Sequence, residues 1–103
     1  HSHAMTKTRP DISLFFPVYN DEGTVRVVAN RALELLEEVA DNYEIIIVND
    51  GSPDSSGAIA DQLAVEHDKI TAVHHPENKG YGAAMKTGIA ASQYDIICMI
   101  DGG

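Results

Sequence analysis

Tyr43-Glu44-Ile45-Ile46-Ile47-Val48-Asn49-Asp50-Gly51-Ser52-Pro53-Asp54 joins a continuous apolar run to a dense cluster of turn formers. Four β-branched residues in succession, with no polar residue between them, suit a strand covered on both faces. Such a strand belongs to a parallel sheet with helices on either side, and the acids at its end mark where the chain leaves that sheet.

Working outward, Ile12-Ser13-Leu14-Phe15-Phe16-Pro17-Val18 is a second short run of strand formers, closed by Pro17. Between the two, Val25, Val28, Ala29, Ala32, Leu35, Leu36 and Val39 recur at spacings of three and four, with Glu34, Glu37 and Glu38 off that face. This predicts an amphipathic helix from Thr24, capped by Asn20 or Asp21. A second helix is expected over residues 55–67, around Ile59, Leu63 and Ala64, followed by a partly apolar edge strand over residues 70–74. A helix of small residues over 82–91 then approaches the sheet closely, and a last strand spans residues 94–100. The order βαβαβαβ, with right-handed crossovers, predicts an α/β fold: a Rossmann-like parallel sheet of strand order 3-2-1-4 with helices on both faces. Ligands of such sheets bind beyond the carboxyl ends of the strands where the winding reverses, here between strands 1 and 4.

Composition narrows the function. Seven Lys and Arg against 16 Asp and Glu give 103 residues a formal charge of −9. That balance repels phosphate backbones, so nucleic acid is excluded as a partner. An anionic ligand would need a bridging cation. The single cysteine, Cys98, lies in an apolar run and reads as inert core; without a second there is no disulfide, and a reducing, cytoplasmic setting is expected. No apolar stretch approaches the roughly 18 to 20 residues that span a bilayer. His1-Ser2-His3-Ala4-Met5 reads as an appended leader before a natural Met start, which leaves residues 6–103 as one domain.

Four loops converge on the ligand edge: residues 17–22, 49–54, 76–80 and 101–103. Asp21, Glu22, Asp50, Asp54 and Asp101 crowd carboxylates there, a composition suited to magnesium or manganese shared with substrate phosphates. Asp54 also suits a helix cap. Gly80 and Gly82 are expected to relieve crowding at a helix entrance, since Met85 stands where a third glycine would complete a dinucleotide fingerprint. Lys79 is placed to touch a base or phosphate. His74 and His75, adjacent on a strand, point to opposite faces and read as edge-strand polar residues.

Three ordered motifs, Pro17-Val18-Tyr19-Asn20-Asp21-Glu22-Gly23-Thr24, Val48-Asn49-Asp50-Gly51-Ser52-Pro53-Asp54 and Asn78-Lys79-Gly80-Tyr81-Gly82-Ala83-Ala84, resemble the N-terminal half of family 2 glycosyltransferases. The likeness is greatest to polyprenol-phosphate sugar transferases of the dolichyl-phosphate mannose synthase type. The resemblance implies part of a GT-A-type fold that binds a nucleotide-diphosphate sugar and, with a divalent cation, passes the sugar to an acceptor such as a polyprenyl phosphate. It implies a nucleotide pocket of Pro17, Tyr19, Asp21, Val48, Asp50, Asp101 and Gly102, to which Lys79 is added by its loop placement. Within that pocket Val48 and Asp50 lie on the base, and Asp101 holds the metal as first acid of a D-x-D motif. Here the motif reads Asp101-Gly102-Gly103, which weakens the hold on Mg or Mn. The general base and acceptor site are expected outside these residues, so the 103-residue chain is expected to be inactive alone, and a full-length protein is expected at the cytoplasmic membrane face. A noncatalytic nucleotide-binding fragment or interaction module is the alternative. The open apolar edge of strand 4 predicts a homo-oligomer.

Overall fold

A computed structural model describes residues 9–101; the leader at 1–5 and the pocket residue Gly102 lie outside the described residues. The elements are β1 (Asp11–Val18), α1 (Val25–Val39), β2 (Asn42–Asp50), α2 (Ser56–Glu66), β3 (Ile70–His75), α3 (Tyr81–Ala91) and β4 (Ile96–Met99). They form one sheet in the order β3-β2-β1-β4, with every pairing parallel.

Alternation along the two central strands divides the core. Ile12, Leu14, Phe16, Val18, Ile45 and Ile47 pack with residues of α1 and α2 on one face. Phe15, Ile46 and Val48 meet Ala84 of α3 on the other. Ile45, Ile47 and Val48 are 0% exposed, as a strand covered on both faces requires. Burying each of these side chains contributes about 1.5–3 kcal/mol. α3 comes close because its inward residues are small: a Cβ on Gly88 would overlap the Phe15 ring.

The structure differs from the sequence reading in the ends of β2 and β4, the cap of α1 and the burial of Cys98. β2 continues through Asn49 and Asp50, read as turn, because both have register partners in His74 and His75. β4 is shorter than residues 94–100, since the Tyr94 N–H donates to the buried Ser13 hydroxyl at 3.0 Å. Ser13 in turn donates to Glu44 at 2.6 Å. The N-cap of α1 is Thr24 without a side-chain cap; the main-chain oxygen of Asp21, not a carboxylate, accepts from the Thr24 N–H and hydroxyl. Cys98 is exposed rather than core. β4 pairs only with β1 among the described strands, so an apolar neighbourhood in sequence is not burial here. Ile96 and Ile97 beside it are 46% and 39% exposed.

Candidate functional site

A cavity of about 390 Å³ lies beyond the carboxyl ends of the strands, lined by Pro17, Val18, Tyr19, Asp21, Asp50, Asn78, Gly80, Tyr81, Ala84 and Asp101. It draws on the carboxyl ends of β1 and β2, the loops after β1, β3 and β4 and the start of α3, which the 3-2-1-4 order brings to one edge. Of the sequence-predicted residues, Pro17, Tyr19, Asp21, Asp50 and Asp101 meet there. Val48 does not line the cavity: its side chain is fully buried in the core beside Phe15 and Ala84. Lys79 is exposed and contributes its backbone N–H, which donates to Asp50.

The first two loops are braced against each other by backbone N–H groups. Asn20 donates to the Ser52 hydroxyl at 3.0 Å, Asp21 to the Ser56 hydroxyl at 3.1 Å and Glu22 to Asp54 Oδ2 at 3.0 Å. The exchange is reciprocal, because the Ser55 N–H donates to Glu22 Oε1 at 2.8 Å. The N-cap of α2 is Ser55, without a side-chain cap bond; Asp54, one residue before it, accepts from the Ser56 N–H through Oδ1 and so satisfies a free donor of the first turn. Hydrogen bonds from the Ser56 side chain, and then from backbone N–H groups, outweigh desolvation and hold the Asp54 carboxyl below its ordinary range. The carboxylates of Glu22 and Asp54 thus satisfy backbone donors that helix and loop geometry would leave open.

Asp50 organises the third loop. It is 4% exposed, and each of its oxygens accepts two hydrogen bonds. Oδ1 takes His75 Nδ1 at 2.7 Å and the Lys79 N–H at 2.9 Å; Oδ2 takes Asn78 Nδ2 at 3.2 Å and the Gly80 N–H at 2.9 Å. A base N–H approaching Asp50 would therefore have to displace a bond already made. Burial alone would raise the Asp50 carboxyl, but the hydrogen bond from His75, those from the Lys79 and Gly80 backbone, and the electrostatic influence of the His75 ring lower it overall. Gly51, at φ 70°, lies so close to the Glu77 and Asn78 backbone that a Cβ would overlap it. Gly80 has φ 100°, a conformation reserved for glycine, while a Cβ there would meet nothing. Crowding at the helix entrance is therefore not its reason, and nothing in the structure requires glycine at 82.

His74 and His75 do face opposite sides, and both are more than edge polarity. His74 contacts Asn49 at 3.0 Å and Asp61 of α2 at 2.7 Å. His75 joins Asp50 to Thr87 of α3, at 2.8 Å from its other ring nitrogen. Sequence reasoning missed this support; its one available signal was register, since Asp50 and His75 pair across β2 and β3.

Asp21 and Asp101 are the other carboxylates on the cavity wall. Among the described residues no group of three or more His, Cys, Asp or Glu is placed to hold a metal by itself. This donor set fits a hard cation shared with a ligand, since magnesium and manganese-type sites commonly use one or two carboxylates completed by phosphate oxygens and water.

The family model described as glycosyl transferase family 2 matches residues 13–102. An undecaprenyl-phosphate 4-deoxy-4-formamido-L-arabinose transferase of Aeromonas hydrophila is 33% identical over 91 residues, covering 87% of this chain and 28% of that protein. Glucosyl-3-phosphoglycerate synthase of Mycobacterium tuberculosis, solved with Mn²⁺, UDP and glucosyl-3-phosphoglycerate, superposes with a TM-score of 0.70 at 26% identity. The match covers 92% of this chain and 34% of that one. A Pyrobaculum calidifontis mannosyltransferase, solved with GDP-mannose and Mn²⁺, shares the fold at a TM-score of 0.80 and 22% identity, over 91% of this chain and 28% of that one. The matched part of the chain thus spans 28% to 34% of the length of these proteins.

Proposed function

The chain belongs to glycosyl transferase family 2, and from that premise we propose that its cavity binds the nucleotide-diphosphate part of a sugar donor. The observation that carries the reading is the convergence of Pro17, Tyr19, Asp21 and Asp101 on one cavity at the sheet's switch point. Pro17 and Tyr19 offer an apolar and aromatic wall, Tyr19 being half exposed and able to lie along a base or ribose. Asp21 and Asp101 are too acidic a pair to meet a diphosphate directly, so a divalent cation mediates. Asp101 is the residue to hold it, and bound there it supplies positive charge against the departing diphosphate.

The whole protein's reaction is hexosyl transfer from that donor to an acceptor hydroxyl or lipid phosphate. The undecaprenyl-phosphate named for the Aeromonas hydrophila relative supports the lipid-phosphate choice. With an acceptor of that kind, the protein works at the cytoplasmic face of a membrane. The 103-residue chain alone binds the donor without transferring the sugar. Calorimetric titration with UDP and GDP, each with and without Mn²⁺, tests the reading. Binding of one nucleotide that needs the metal is expected; no binding of either, with metal present, overturns it.

A further inference from the structure

We propose that His75 is a positioning residue of the cavity, acting through Asp50 to set the loop of Asn78, Lys79 and Gly80, and itself held by Thr87. Three elements meet in this relay. β2 supplies Asp50, β3 supplies His75 at the register position opposite it, and α3 supplies Thr87. The side chains of His75 and Asp50 are 10% and 5% exposed, so water does not compete freely for their bond.

The direction of that bond follows from chemistry. An ionised carboxylate only accepts, so His75 Nδ1 must donate to Asp50 Oδ1. Thr87 can donate or accept, so it satisfies Nε2 in either ring state and fixes the ring plane. A ring so held aims Asp50, and the aimed carboxylate receives the N–H groups of Lys79 and Gly80 at 2.9 Å each. Those donors are what keep Gly80 and Tyr81 on the cavity wall. No part of His75 lines the cavity, so its effect on a ligand passes through the loop.

The part of this inference that concerns ligand binding rests on the nucleotide reading; the part that concerns the loop does not. Two amide variants separate the ring nitrogens, since Asn places its N–H₂ near Nδ1 and Gln places it near Nε2. His75→Asn retains the donor to Asp50, and His75→Gln loses it. In the 103-residue chain, hydrogen exchange at the Lys79 and Gly80 amides, followed by NMR, is expected to accelerate about tenfold or more in His75→Gln and to stay near the parent rate in His75→Asn. Affinity for whichever of UDP or GDP the parent binds with Mn²⁺ is expected to fall about tenfold in His75→Gln and to be largely rescued in His75→Asn. Equal exchange and equal affinity in the two variants would overturn the relay, because a side chain that only fills space cannot tell them apart. Should either amide variant fail to fold, Thr87→Val decides: faster exchange at Lys79 and Gly80 supports the relay, and unchanged exchange overturns it. If the parent binds neither nucleotide, the nucleotide reading fails while the exchange measurements still judge the relay.

Discussion

At the scale of single residues, the acids of the ligand edge divide by what their oxygens already do. Asp50 spends its carboxylate on four donors, so Asp50→Ala leaves the Lys79 and Gly80 N–H groups and His75 without their acceptor. Each unsatisfied buried group costs about 1–3 kcal/mol, and thermal melts of this variant are expected to fall well below the parent while nucleotide affinity also drops. The acid dependence carries a definite sign. The Asp50 carboxyl is lowered from 3.8 in the folded state, so its stabilisation is complete above that ordinary value and is lost as pH falls through the lower folded value. Parent melting temperature should therefore lose the Asp50 contribution only below about pH 4, and Asp50→Asn should flatten that acid limb. Asp54 serves α2 and the Glu22 backbone instead. Asp54→Ala is expected to lower the melting temperature with little change in calorimetric affinity. A large affinity loss without a melting change would place Asp54 in the binding surface.

At the scale of elements, small residues decide how near α3 and the loops come to the sheet. Gly88 meets the Phe15 ring, so Gly88→Val forces the helix away from β1. Overpacking of this kind costs about 1–3 kcal/mol, measurable by urea unfolding, and it should also shift the Tyr81 end of the cavity. A Gly88→Val protein as stable as the parent would mean that α3 does not rest on Phe15. The helix periodicity, the doubly covered β2 and the edge position of β3 were all readable in the sequence, because each depends on patterns within about 15 residues. The end of β2, the start of β4 and the cap of α1 were not. Asn49 and Asp50 look like turn formers until His74 and His75 pair with them, and Ser13 looks like one polar residue in a strand until Tyr94 and Glu44 are brought to it.

At the scale of the whole molecule, the exposed face of β4 bears on association. Ile96 and Ile97 on the outer strand leave apolar surface in water, and open strand edges favour pairing with another chain. Light scattering of the 11.1 kDa chain is expected to give about twice the monomer mass at high concentration. A monomer mass at every concentration would rule out association through β4. No helix among the described residues is long and apolar enough to cross a membrane.

By itself the sequence determined the alternation of strands and helices, a parallel sheet, and the carboxyl edge on which the ligand loops gather, because periodicity and crossover handedness are local properties. The 3-2-1-4 winding expected from it is the one found, but the same alternation and handedness also allow a 2-1-3-4 order, so tertiary packing made that choice. The sequence also carried the three motifs by which the family is known. Tertiary structure alone decided where Val48, Cys98 and Asp50 sit and what they touch. Val48 became core because α3 covers it, Cys98 became surface because β4 is an outer strand, and Asp50 became the anchor of a loop 28 to 30 residues away. Hydrogen-bond partners so distant in sequence are set by strand register and loop contact, which exist only once the chain has folded.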